Sequence, residues 1–236
     1  MLYYRDSRIE RQQNRGCKML ETKIDVKKTA LLVIDMQNDL IKGEGEPMSG
    51  VVKMVQSKGI ISNTARVIAA ARQAGMPIIF IGHIHREDNA DAVPTITDMM
   101  LELRASQPEE RPATPPRSRM VEGTPGAQVV DDLKPAPGDH MVWKRRSNAF
   151  IGTDLELMLR WRGRDTVVIA GVVTDGCVAN TVRGARERDL HVIVLSDCCA
   201  TMMPEADESH MKTVFPRAGR VRTSDEMVAV ISGASA

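Results

Sequence analysis

Apolar residues recur along this chain in two rhythms. Short continuous runs read as strands buried on both faces: Ala30 to Met36, Pro77 to Gly82, His140 to Lys144, Thr166 to Gly171 and His191 to Leu195. A weaker run near Arg220 to Thr223 adds a last strand. Between the runs lie segments whose apolar residues are spaced three and four apart. The clearest is Ile60 to Ala74, with Ile60, Thr64, Val67, Ile68 and Ala71 on one face and Gly75 placed to close it. Further helices are expected near Gly152 to Arg162, Gly176 to Arg188 and Pro204 to Val214, and a final one opens at Ser224 on a Ser-Asp-Glu capping turn. Gly43 to Gly50 reads as a glycine-rich loop. This strand–helix alternation predicts an α/β fold, a three-layer α-β-α sandwich around a mostly parallel six-stranded sheet.

Two segments break the alternation. Residues 1–28 form a polar arm with Tyr3 and Tyr4 and no clear periodicity, so the domain proper is expected over 29–236. Pro94 to Pro137 is rich in proline and charge and reads as an exposed excursion, with Met99, Met100, Leu101 and Leu103 as a short docking cluster. Either segment is a candidate contact between subunits of a homo-oligomer, where the two tyrosines would give apolar contact with polar tips.

Composition narrows the function classes. The formal net charge of +1 gives no electrostatic case for nucleic acid or a membrane surface as partner. No stretch approaches the roughly 20 apolar residues of a membrane span, and the first residues lack the apolar core of a signal peptide. Four cysteines without paired spacing suggest a reducing compartment, the cytoplasm. Cys198 and Cys199 are expected to be buried packing residues.

Three strand ends carry the candidate chemistry. Open parallel sheets bind ligands beyond the carboxyl ends of their strands. Asp35 ends the first strand and Lys144 the third, while Cys177 follows the tight turn after VVIAGVVTDG. A thiol opening a helix would face unpaired N–H groups and the positive end of the dipole, which favour thiolate. Trp143, inside its strand, is expected in the core. Local sequence leaves open a capping role for Asp35, a solvated strand end for Lys144 and simple filling by Cys177.

Taken together, the segments LLVIDMQNDL, EGTPGAQVV, SNAFIGTDLELML after the lysine strand, and GVVTDGCV resemble the isochorismatase-like cysteine hydrolases, over about Thr29 to Val230. That superfamily includes nicotinamidase, N-carbamoylsarcosine amidase, ureidoacrylate hydrolase and biuret hydrolase. The resemblance implies a catalytic triad of Asp35, Lys144 and Cys177, an oxyanion hole made by the N–H groups of Val173 and Cys177, and a cis peptide between Val172 and Val173. It implies hydrolysis of a C–N bond through a cysteine acyl-enzyme, because members that cleave a vinyl ether lack the cysteine. It implies a dimer or tetramer as well.

Nicotinamidases bind a metal at an Asp-x-His motif with a further histidine. Here the segment reads GHIHREDNAD, without the aspartate two residues before His85. A metal held by His83, His85 and Asp88 or Asp91 is the minority reading, and the expectation is no metal and no cofactor. HREDNAD and TDLEL are similar to the biuret hydrolase branch, which favours a small ureido or carbamoyl amide as substrate. Arg145, Asn148 and Phe150 are the candidate substrate contacts, with Arg145 suited to hold a carboxylate and Arg146 a candidate beside it. A nicotinamidase-type amidase and a non-catalytic small-molecule binder are the alternatives. A redox role for Cys177 lacks any Cys-x-x-Cys pair.

Overall fold

The apolar runs pair into one sheet built from β1 (Thr29–Ile34), β2 (Ile78–His83), β3 (His140–Lys144), β4 (Thr166–Val172), β5 (His191–Ala200) and β6 (Arg220–Arg222). The strand order is β3-β2-β1-β4-β5-β6, and every pairing in the sheet is parallel. The structure is a computed structural model, and it describes residues 24–43, 49–88, 90–91 and 119–233. Tyr3, Tyr4 and the Met99 to Leu103 cluster therefore lie outside the described residues.

Side chains alternate along each strand and divide the core in two. From β1, Leu31 and Val33 join one apolar cluster while Ala30, Leu32 and Ile34 join the other. The first cluster is covered by α2 (Ser49–Ser57), α3 (Ile60–Gln73) and α7 (Ser224–Ile231), through residues such as Val51, Val67 and Met227. The second is covered by α4 (Leu155–Trp161) and α5 (Ala179–Arg186), through Leu155, Leu159 and Val182. A single turn, α1 (Asn38–Ile41), follows β1, and α6 (Pro204–Ser209) follows β5. Among the described residues no helix is long and apolar enough to cross a membrane.

The order of the sheet decides where the site lies. Successive strands run outward from β1 to β3, and the chain then returns to the other side of β1 to continue from β4 to β6. The crevice between the carboxyl ends of β1 and β4 is thus the switch point where open α/β sheets hold ligands.

Several boundaries differ from the sequence expectation. The helix Ser49–Ser57 was not foreseen: it occupies the end of the expected Gly43 to Gly50 loop, and Gly59, at φ +63°, separates it from α3. Strand β5 runs five residues past Leu195, to Ala200, and places Cys198 and Cys199 on opposite faces, both fully buried as expected. The last helix is capped by Thr223 rather than by its own first residue, in a reciprocal box with Glu226. Trp143 is 40% exposed, not core, because Val142 and Lys144 take the inner positions of β3. Its ring lies over Gly82, where a Cβ would come within 2.4 Å of it. The C-terminal part of the expected excursion is not exposed either, since Ala127, Val129, Val130 and Leu133 are buried.

Candidate active site

Asp35 is the first residue beyond β1. Its backbone is left-handed, at φ +53°, a conformation that aspartate tolerates better than most residues. Its N–H donates to the Ile81 carbonyl at 2.7 Å. The side chain is 1% exposed and faces the ammonium of Lys144, with Nζ 2.9 Å from Oδ2. Lys144 ends β3, two strands away, and its long side chain spans that gap wholly buried.

Cys177 arrives from the other side of the switch point. In β4 the register against β5 shifts between Ile169 and Gly171. Gly171 adopts φ +144° where a Cβ would stand 2.1 Å from the Ile34 carbonyl oxygen, so only glycine lets β4 lie this close to β1. The peptide between Val172 and Val173 is cis, as the resemblance implies. The chain then makes one wide turn, Thr174–Val178, in which the N–H groups of Gly176 and Val178 both donate to the Val173 carbonyl. Helix α5 starts only at Ala179. Gly176 breaks the helical dihedrals inside this turn and Val178 already has them, so Cys177 stands where the helical backbone that continues as α5 begins, as the sequence leads one to expect. Its half-buried sulfur accepts from Lys144 Nζ at 3.1 Å.

The electrostatics of this group correct one expectation. Burial pushes the Cys177 thiol up, the Asp35 charge pushes the same way, and Lys144 only partly opposes them, so its pKa is raised to about 12. Burial and the Asp35 charge thus outweigh the pull toward thiolate expected from the helix start. Burial also works against the charged form of Lys144, but Asp35 and then Cys177 outweigh it and hold the ammonium pKa above the ordinary lysine value. A carboxylate that faces both a thiol and an ammonium can accept the thiol proton when the sulfur attacks.

A fourth side chain stands at the triad. Asp35, His83 and Cys177 each place a ligand-type atom within 4.8 Å of the other two. His83 ends β2, the strand between Asp35 and Lys144, and is in register with Lys144. Sequence reading weighed it only as a metal ligand with His85, and the strand order that brings it here was not visible in the pattern. Gln37 fixes this strand end: its Oε1 accepts from the His83 N–H, and its Nε2 donates to the carbonyls of His83 and Ala127. Among the described residues, Asp35, His83 and Cys177 are the group that could hold a metal ion, but the Lys144 ammonium already occupies the space beside two of them. Of the alternative set, His85 Nδ1 lies 3.6 Å from Asp91 Oδ2 and its ring lies 4.6 Å from that of His83. Asp88 is turned to Arg86, and Asp91 accepts from Arg145.

The remaining candidates are placed as follows. Arg145 reaches Glu122 at 2.7 Å and Asp91 at 3.3 Å and remains partly exposed. Arg146 donates to the carbonyls of Asp91 and Arg145. The Asn148 side chain accepts from the Phe150 N–H and lies against Gly184 of α5. Phe150 is buried in the second apolar cluster beneath the Arg188 guanidinium, 4.8 Å from the ring centre. Val173 immediately precedes the wide turn and Cys177 lies near its end. The EGTPGAQVV segment packs under the loop after β1: Asn38 donates to the Pro125 carbonyl, and Gly126 leaves room for the Asp39 carboxylate.

Comparison with known proteins matches this arrangement to one family. The isochorismatase domain matches residues 29–226. An Agrobacterium fabrum ureidoacrylate amidohydrolase, RutB, is 27% identical over 88% of this chain and 91% of its own. An Arabidopsis thaliana protein named "Probable inactive nicotinamidase" is 35% identical over 75% of this chain and 83% of its own. A cysteine hydrolase from Pseudomonas syringae superposes with a TM-score of 0.71 at 26% identity, covering 90% of this chain and 96% of its own. N-carbamoylsarcosine amidase from Thermoplasma acidophilum gives 0.62 at 27% identity, covering 84% and 97%.

Proposed function

This chain belongs to the isochorismatase family of hydrolases, and on that premise we propose that it is a cysteine amidohydrolase of small linear ureido or carbamoyl compounds. The observation that carries the reading is the contact of Lys144 with both Asp35 and Cys177 at the switch point of the sheet. A non-catalytic binder has no chemical need for a buried carboxylate, ammonium and thiol in mutual contact, which costs desolvation.

In the proposed reaction Asp35 takes the Cys177 proton as the sulfur attacks the substrate carbonyl carbon. The carbonyl oxygen becomes an oxyanion held by the N–H groups of Val173 and Cys177. The C–N bond then breaks, Asp35 returns the proton to the leaving nitrogen, and ammonia or an amine departs. Water, deprotonated by Asp35, attacks the thioester-type carbonyl. Collapse releases the acid and restores the thiol. Lys144 pairs with the Asp35 carboxylate and stabilises the sulfur as it becomes anionic.

Support for the ureido or carbamoyl class comes from the names of two relatives, the ureidoacrylate amidohydrolase RutB and N-carbamoylsarcosine amidase. Arg145 is the proposed contact for a substrate carboxylate. Ammonia release from ureido acids, biuret, N-carbamoyl amino acids, maleamate and nicotinamide tests the class. Cleavage of ureido or carbamoyl compounds at least about tenfold faster than nicotinamide is expected, and the reverse order refutes it.

The catalytic unit is proposed to span residues 29–236, in the cytoplasm, where its three described free thiols would stay reduced. We propose a homo-oligomer as well, which light scattering checks: a single species at 26.0 kDa would exclude it.

A further inference from the structure

The wide turn that carries Cys177 is fastened from behind by side chains outside the triad. The Thr174 hydroxyl, fully buried, donates to Asp207 Oδ1 at 2.6 Å. Asp207, on α6, is itself buried, and its Oδ2 accepts from Lys58 Nζ at 2.8 Å. Lys58 Nζ donates as well to the Cys199 carbonyl of β5 at 2.8 Å. Asn63 ties the Lys58 carbonyl to the Asp197 carbonyl, so the elbow between α2 and α3 is locked onto the same strand. Beside this chain of contacts, the Thr201 hydroxyl donates to Asp175, the next residue of the turn.

A partly buried ion pair in this place contributes little net stability. Well-packed apolar residues of similar size commonly do as well or better, because withdrawing charge from water is costly. What the pair supplies is direction. Thr174 directly follows Val173, and the turn it opens ends just after Cys177, so its hydroxyl bond anchors the start of the short segment that carries both proposed oxyanion donors. Donors of that kind are effective only when held within a fraction of an ångström of the developing charge.

We propose that Thr174, Asp207 and Lys58 are positioning residues that hold the N–H groups of Val173 and Cys177 in the geometry that accepts an oxyanion. The proposal rests on the acyl-transfer reading above. Lys58 holds the Asp207 carboxylate in place, Asp207 orients the Thr174 hydroxyl, and the hydroxyl sets the turn. None of the three touches the substrate.

A small aldehyde separates this role from both nucleophile reactivity and overall folding. Propionaldehyde adds to the Cys177 thiol: the sulfur–carbon bond forms, and the sulfur proton ends on the former carbonyl oxygen, which sits where the oxyanion would. Alkylation by iodoacetamide uses the same sulfur but develops no oxyanion. In Thr174→Val and Asp207→Asn, hemithioacetal affinity followed by NMR with carbonyl-labelled aldehyde is expected to fall about tenfold or more. Alkylation at the same pH should stay within about twofold of wild type, and Thr174→Ser should regain most of the lost affinity.

Unchanged aldehyde affinity in both variants overturns the proposal. So does a parallel loss of affinity, alkylation and melting temperature, which would mark a purely structural contact. A wild-type protein that binds the aldehyde yet cleaves no amide in the substrate panel counts against the proposed substrate class and leaves the positioning test standing. A wild-type Cys177 that is alkylated but forms no hemithioacetal overturns both.

Discussion

Lys144 Nζ lies 3.1 Å from Cys177 Sγ, yet the pKa of the cysteine it faces is pushed up, to about 12. Burial and the Asp35 carboxylate outweigh the single ammonium. The lysine therefore does not make a resting thiolate. Its stabilisation is realised when the proton has left and Asp35 is neutral, which is the moment of attack, and interactions strengthened at that moment are the ones that accelerate a reaction.

The pH dependence of alkylation follows directly. Only the thiolate reacts, so iodoacetamide labelling of substrate-free enzyme should be slow at neutral pH. It should rise about tenfold per unit without a plateau below about pH 11. A plateau near pH 7, read by peptide mass at Cys177, would mean a preformed thiolate.

Asp35→Asn should move two readouts in opposite directions. Loss of the carboxylate charge removes one of the causes that raise the Cys177 pKa, so alkylation at pH 8 should become faster, by about threefold to tenfold. Turnover should fall by about a thousandfold or more, because no group remains to take and return the proton. Comparing the two rates on one preparation checks this.

Alkaline stability should decline from about pH 9 upward. Burial raises the thiols of Cys198 and Cys199 above the ordinary cysteine value, Cys199 to about 12. The folded state thus keeps protons that the unfolded chain releases near its ordinary thiol pKa, so stability is fully present below about pH 9 and is lost as pH climbs toward the folded value. Each thiol contributes at most about 1.4 kcal/mol per unit. Chemical denaturation at pH 8 and 10 should show a smaller loss in Cys198→Ala than in wild type.

Much of this was legible in the chain. The strands carry near-continuous apolar runs because both faces of the sheet are covered, and Asp35, Lys144 and Cys177 stand at or just past their ends. His83 was not legible as a neighbour of the triad, since its place depends on β2 lying between β1 and β3. The protonation of Cys177 was misread for a related reason: helix position is local, but desolvation depends on everything packed around the sulfur. Trp143 was misread because period-two alternation in β3 gave the inner positions to Val142 and Lys144. Helix Ser49–Ser57 has only three buried residues, Val51, Met54 and Val55, too few to stand out beside a glycine-rich stretch.

Arg145 offers a test of substrate charge. Its guanidinium is held by Glu122 and Asp91 and remains partly exposed, so it can meet an incoming carboxylate. Arg145→Ala should raise KM about tenfold for ureido acids and leave neutral biuret nearly unchanged, with kcat little altered for either. Equal effects on both substrates would remove Arg145 from carboxylate recognition.

The central claim is a covalent acyl intermediate on Cys177, and rapid-quench mass spectrometry with the best substrate of the panel tests it most directly. A mass increase equal to the substrate acyl group, mapped to the peptide containing Cys177, is expected. Cys177→Ala should lack it and should turn over less than about a thousandth as fast as wild type. A Cys177→Ala enzyme that keeps more than about a hundredth of wild-type turnover would contradict nucleophilic catalysis by this residue.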